Sequence, residues 1–200
     1  KIYFGEEYKL SKIAIISDIH GNMPALEAVF DDIKKNDIDK IICLGDLVGK
    51  GPSCKRVIDF CRYKCDIVVA GNWDKFLSHK IEERNKWYLD RIGDERLQYL
   101  RGLPESVGFY LSGRFVRLFH AHSEDVYLRM YPNLEIEEKL KMFDIPKISR
   151  LDNEGIKSDI VGYGDIHGAF IDYLEDGKIL FNVGSVGCPY DNIPMASYVI

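Results

Sequence analysis

Nine side chains able to hold a metal or carry a proton stand just past short, largely apolar runs in this chain. Asp18 and His20 follow residues 13–16, Asp46 follows 41–44, and Asn72 and Asp74 follow 67–70. His120 and His122 close the run at 115–119, and Asp165 and His167 follow 160–163. One such residue after a strand is ordinarily a cap or a satisfied polar group. Five strand ends of this kind, nearly all beside glycine, form a different pattern. Mixed carboxylate, imidazole and amide donors suit Mn, Fe, Zn or Ni better than the all-oxygen shells of Ca or Mg. Two such ions about 3.5–4 Å apart can share a carboxylate and a water and clamp phosphoryl oxygens. Their charge lowers the pKa of that water. The neighbouring glycines let the backbone turn sharply and let a phosphate approach.

Positioning these groups takes a sheet whose strands all point one way. The runs at 12–17, 40–45 and 66–71 read as buried parallel strands. Between them lie amphipathic helices, one carrying Leu26, Val29, Phe30 and Ile33 and the next Val57, Ile58 and Cys61 on one face. That alternation implies βαβ units with right-handed crossovers. Ligands of open α/β sheets bind beyond the carboxyl ends of the strands, where the candidate residues fall. Residues 75–103 read as one or two helices. From 106 onward the pattern turns to strands, with hairpin signals at Ser112–Gly113 and Asp176–Gly177 and a last strand at 196–200. Residues 123–155 are charged and mixed, and read either as a lid or as a packed insertion. The expected whole is one domain, two packed sheets with helices outside.

Composition sets bounds on function. The 200 residues carry a net charge of −5, which argues against a stable nucleic-acid complex. Five cysteines without a CxxC spacing read as reduced thiols of a cytoplasmic protein. No apolar run is long enough to span a bilayer. The N-terminal residues lack the apolar core of a signal peptide.

The ordered set DIHGN, GDLVGKGP, GNWD, FHAH, GDIHG and NVGSVGCPYD resembles the calcineurin-like metallophosphoesterases. It is most similar to their small prokaryotic phosphodiesterases and nucleotide hydrolases. The resemblance implies a four-layer α/β/β/α sandwich of two mixed sheets flanked by helices. It implies two divalent metal ions, foremost Mn or Fe, and attack on phosphorus by a metal-bridging hydroxide. Carried over position by position, Asp18, His20 and His167 hold the first metal, Asp46 bridges, and Asn72 and His120 hold the second. The implied substrate is a small phosphate ester, a phosphodiester or pyrophosphate of nucleotide type. A phosphomonoesterase, a protein phosphatase and a non-catalytic binding scaffold on a degenerate site are the rivals. A homodimer through an exposed last strand is one assembly the sequence allows.

Two positions depart from the family pattern. Trp73 stands where many members carry a histidine, and a tryptophan does no acid–base work. It is either a stacking surface for a base or a hydrophobic plug. Asp165 stands where a histidine usually binds the second metal, and is expected to coordinate in its place. The candidate catalytic residues are Asp46, His122 and Asp74, although Asp74 also reads as a helix cap and His122 as a mere neighbour of His120. Asn22 and Lys50 are candidates for phosphate contact, against a turn residue and a solvated lysine.

Overall fold

The computed structural model describes residues 12–79, 83–152 and 155–200. Strand β1 (Ile13–Ile16), β2 (Lys40–Cys43) and β3 (Ile67–Val68) form a parallel sheet in that order. Helix α1 (Met23–Ile33) and α2 (Cys54–Lys64) provide the crossovers. Alternation along β1 divides its side chains between two cores. Ala14 and Ile16 face α1 and α2, with Leu26, Val29, Val57 and Ile58. Ile13 and Ile15 face a second sheet through Val107, Phe109, Val116 and Leu118. A strand buried on both faces needs an apolar residue at every position, and the sequence IAII has one.

The second sheet is mixed, in the order β4-β5-β6-β8-β7. Strand β4 (Ser106–Leu111) and β5 (Arg114–Phe119) are joined at Ser112 and Gly113, both with positive φ, the geometry of a type I′ turn. Strand β6 (Ile160–Tyr163) lies parallel to both β5 and β8 (Ile179–Asn182). Strand β7 (Phe170–Tyr173) closes the edge as a hairpin with β8. The expected last strand is reduced to one antiparallel bridge, Val199 to Ile15, which adds an antiparallel contact to the parallel sheet.

The region read as one or two helices holds three α-helices among the described residues, with a short 3-10 turn at Glu83–Asn85. The helices are α3 (Asn72–His79), α4 (Lys86–Ile92) and α5 (Asp94–Arg101). Gly93, at φ 80°, breaks the last two apart. Residues 123–152 contribute the outer layer, including α6 (Ile136–Lys141). Met130, Met142 and Phe143 pack there on Phe119, Val161, Tyr163 and Leu180 of the second sheet. No helix among the described residues is long and apolar enough to cross a membrane.

Candidate metal centre

The carboxyl ends of β1, β2, β3, β5 and β6 open on one edge of the sandwich. Asp18, His20, Asp46, Asp165 and His167 all sit there with φ between 49° and 62°. Left-handed backbone costs a non-glycine residue about 1–2 kcal/mol. Five such residues in one cluster mark a place where geometry outweighs stability. The loops also hold each other. The amides of Ile19 and His20 donate to the Asp46 carbonyl at 3.0 and 2.8 Å, and Gly164 donates to that of His120 at 2.8 Å. Gly71 has no room for a side chain, because a Cβ there would overlap the Asp46 carboxylate.

Three imidazoles are oriented alike. His20 Nδ1 donates to the Val48 carbonyl at 2.9 Å and His120 Nδ1 to that of Leu44 at 2.8 Å. His167 Nδ1 donates to the carbonyl of Cys188. A carbonyl only accepts, so each ring keeps a proton on Nδ1 and turns Nε2 to the cluster, where it is bare whenever the ring is neutral. The Nε2 atoms of His20 and His167 then face each other at 3.2 Å, lone pair to lone pair. Asp18 Oδ1 lies 3.2 Å from His167 Nε2. Asp46 spans the gap to the third ring, with Oδ2 3.4 Å from His20 Nε2 and Oδ1 3.5 Å from His120 Nε2. Asp18 Oδ1, His120 Nε2 and Asp165 Oδ2 are buried and make no hydrogen bond. Apart from that of Asp165, these atoms fall into two triads, Asp18–His20–His167 and Asp18–Asp46–His120, each compact enough for one cation.

Electrostatics favour the same occupant. Asp18, Asp46, Asp74 and Asp165 are each at most 4% exposed. Uncompensated buried charge costs several kcal/mol per ion. Burial, with Asp18 and Asp74 nearby, pushes the Asp46 carboxyl well up. Burial also raises Asp74 and Asp165. Burial opposes the charge on Asp18, but the imidazoles of His167, His120 and His20 outweigh it and hold that carboxyl low. Burial lowers His20 to about 3. Burial also works against a charged His120, yet Asp46, Asp18 and Asp165 lift it to about 9. Cations would relieve the repulsion and fill the facing lone pairs, so the donor set fits divalent metal ions.

The other expected residues divide. Lys50 is at the site, its Nζ 3.3 Å from His167 Nε2 and donating to Tyr190 Oη at 3.2 Å. Asn72 reaches it too, donating through Nδ2 to Asp165 Oδ1 at 2.7 Å. Asp74 does not present a free oxygen. Its Oδ1 accepts from the Leu47 and Val48 amides at 3.0 and 3.3 Å, and its Oδ2 from Gly71 at 3.0 Å. Three backbone donors engage that carboxylate, so it shapes two ligand loops, in keeping with the capping alternative to a catalytic role. His122 belongs to neither triad, and its Nδ1 accepts from the Glu124 amide at 3.1 Å. Asn22 caps α1 through Oδ1 to the Ala25 amide at 3.2 Å and ties down Gly187 through Nδ2 at 3.0 Å, which is the turn role. Trp73 packs its ring over Gly49 and edge-on to His20 and Phe76, as a plug would.

Two residues at the site escaped the sequence reading. Arg129 Nε lies 3.3 Å from Asp165 Oδ2. Tyr190 stacks on the His167 ring at 4.5 Å and 18° and is 63% exposed. NVGSVGCPYD pointed near Tyr190 as part of a motif; Arg129 had no signal, since a lone arginine in a charged segment looks like any solvated one.

Comparison with known proteins agrees with this geometry. Residues 12–200 match the family described as the calcineurin-like phosphoesterase superfamily domain. An uncharacterized protein of Methanocaldococcus jannaschii is 33% identical over 201 residues, covering 95% of this chain and 82% of that one. A symmetrical bis(5'-nucleosyl)-tetraphosphatase of Psychromonas ingrahamii is 28% identical over 124 residues, or 60% of this chain. That match spans only 43% of the tetraphosphatase. A metallophosphoesterase crystal structure from Sphaerobacter thermophilus shares the fold, with a TM-score of 0.73 at 24% identity over 95% of this chain and 82% of that one.

Proposed function

We propose, for a chain that belongs to the calcineurin-like phosphoesterase superfamily, that the buried cluster holds two divalent cations and serves hydrolysis of a phosphodiester or pyrophosphate bond in a nucleotide-like substrate. Membership makes the chain a hydrolase of phosphate esters. The observation that carries the finer reading is the shared orientation of His20, His120 and His167, each donating Nδ1 to a carbonyl and turning Nε2 inward. Such ordering is what metal-ligating histidines require.

Asp18, His20 and His167 would hold one ion, and Asp46, His120 and the Oδ1 of Asn72 the other. Bound there, the two ions would supply Lewis-acid charge and an activated water. Lys50 offers a cation to the phosphoryl oxygens beside His167. Trp73 excludes water from the floor of the site and offers no proton to a leaving oxygen. Substrates with stable leaving groups are therefore favoured. The similarity to a nucleosyl tetraphosphatase supports a nucleotide. So does the exposed ring of Tyr190, since aromatic faces stack on bases.

The test is turnover of bis-p-nitrophenyl phosphate against p-nitrophenyl phosphate after metal stripping and Mn²⁺ add-back, in wild type and Asp46→Asn. Metal-dependent diester cleavage that disappears in Asp46→Asn is the expected result. A clear preference for the monoester would replace the diester reading.

A further inference from the structure

Asp165 is one of the chain's two departures from the family pattern, and it stands between the second triad, with Oδ1 3.9 Å from His120 Nε2, and the residues Asn72 and Arg129. Its Oδ1 accepts from Asn72 Nδ2 at 2.7 Å, and its Oδ2, which makes no hydrogen bond, forms an ion pair with Arg129 Nε at 3.3 Å. Neither triad contains it. A carboxylate only accepts, so the Asn72 amide must turn its nitrogen toward Asp165 and leave Oδ1 as its remaining donor to a cation. The Asp165 side chain is 2% exposed and that of Arg129 is 56% exposed. The carboxylate is therefore a buried anchor, and the guanidinium is a cation standing at the rim. Arginine carries five N–H donors in a planar fork, and the pairing to Asp165 uses one edge of it. The Tyr131 side chain hydrogen-bonds the guanidinium as well.

We propose that Arg129 binds a phosphoryl group of the substrate, and that Asp165 is a positioning residue for Arg129 and Asn72 instead of a metal ligand. The inference rests on the phosphoesterase reading of the same site. It gives the segment at 123–135 a functional role beside its packing role. It also explains why an aspartate is tolerated where a neutral imidazole is usual: the arginine balances the added charge. With Lys50 against His167 and Arg129 against Asp165, the cluster has a cation at each of two sides.

Calorimetry tests it without turnover. Mn²⁺-loaded protein is titrated with inorganic phosphate, and stripped protein with Mn²⁺, for wild type, Arg129→Ala, Arg129→Lys, Asp165→Asn and the double variant Arg129→Ala/Asp165→Asn. Arg129→Ala is expected to weaken phosphate binding by about tenfold to a hundredfold, as loss of a charge-assisted contact does. Arg129→Lys restores part of it. Asp165→Asn weakens phosphate binding in wild type but not in the Arg129→Ala background, because it acts through Arg129. All three single variants keep both Mn²⁺ steps. Phosphate affinity within twofold of wild type in Arg129→Ala overturns the substrate role. Loss of one Mn²⁺ step in Asp165→Asn overturns the positioning role. Should Asp165→Asn not fold, the two Arg129 variants decide the substrate role and their unchanged Mn²⁺ isotherms decide whether Arg129 serves the metals. Phosphate bound through Arg129 by a wild type that cleaves no ester would sustain this inference and sink the proposed reaction.

Discussion

His20 and His167 present bare Nε2 atoms to each other at 3.2 Å, although 147 residues separate them in the chain. Each ring spends its only proton on a backbone carbonyl, Val48 for one and Cys188 for the other. Two lone pairs at that distance repel, and Lys50 Nζ, 3.3 Å from His167 Nε2, offsets only part of that repulsion. The fold thus holds an arrangement that a bound cation would stabilise further.

The pH dependence of metal binding follows from His120. Its folded pKa is about 9, above the ordinary 6.5, so the metal-free protein carries a proton there at neutral pH. A raised histidine pKa stabilises the fold below 6.5, and the gain is lost as pH rises through about 9. The urea midpoint of stripped protein should fall across that window. Mn²⁺ must displace the same proton, so its affinity should rise by about tenfold per pH unit and level off near the upper end. Calorimetry in buffers of different ionisation enthalpy would count the proton released.

Lys50 combines a left-handed backbone, φ 56°, with a side chain at the site. Lys50→Gly should raise the melting temperature of the metal-free protein by a few degrees, since strain of about 1 kcal/mol is removed. The same variant should raise KM for phosphate esters several-fold. A gain in both stability and activity would deny the lysine its contact.

Asp74 is expected to matter to the fold more than to the chemical step. Asp74→Ala strands three buried amide donors, at Leu47, Val48 and Gly71. Each unsatisfied group costs about 1–3 kcal/mol, so urea unfolding should show a loss of roughly 3 kcal/mol or more. Asp74→Asn, which keeps one acceptor, should lose less.

Tyr190 and Trp73 separate by substrate. Tyr190→Ala should raise KM for a nucleotide substrate by about tenfold, the worth of a stacked base, while leaving a methyl phosphodiester little changed. Trp73→Ala should lower stability by about 3 kcal/mol through the cavity it leaves. Equal effects of Tyr190→Ala on both substrates would remove the base from the picture.

Much of this site could be read before any coordinates. Asp18, His20, Asp46, His120 and His167 declare themselves because each ends an apolar run, and a parallel sheet carries such ends to one edge. Asn72 declared itself the same way, as the residue after Gly71. What stayed hidden depends on contacts without a local pattern. The carbonyls of Leu44, Val48 and Cys188 orient the rings, yet a carbonyl has no letter in the sequence. Asp74 looked like a catalytic partner because motifs record order, not the direction of a carboxylate. Trp73 has two readings in the sequence because the packing of its ring over Gly49 leaves no local pattern. Residues 123–155 read as a lid or as a packed insertion because charge dominates them, while three apolar residues, Met130, Met142 and Phe143, pack on the second sheet. The middle helices were merged because Gly93 costs an isolated helix only about 1 kcal/mol and does not by itself announce a break.

The central claim is that the buried cluster holds two ions. Metal-stripped protein would be equilibrated with Mn²⁺, freed of unbound metal, and its bound metal counted by elemental analysis, alongside His20→Ala and His120→Ala. The account predicts two ions per chain in wild type and one in each variant. A wild type that retains one ion or none, or a His120→Ala protein that still retains two, would contradict it.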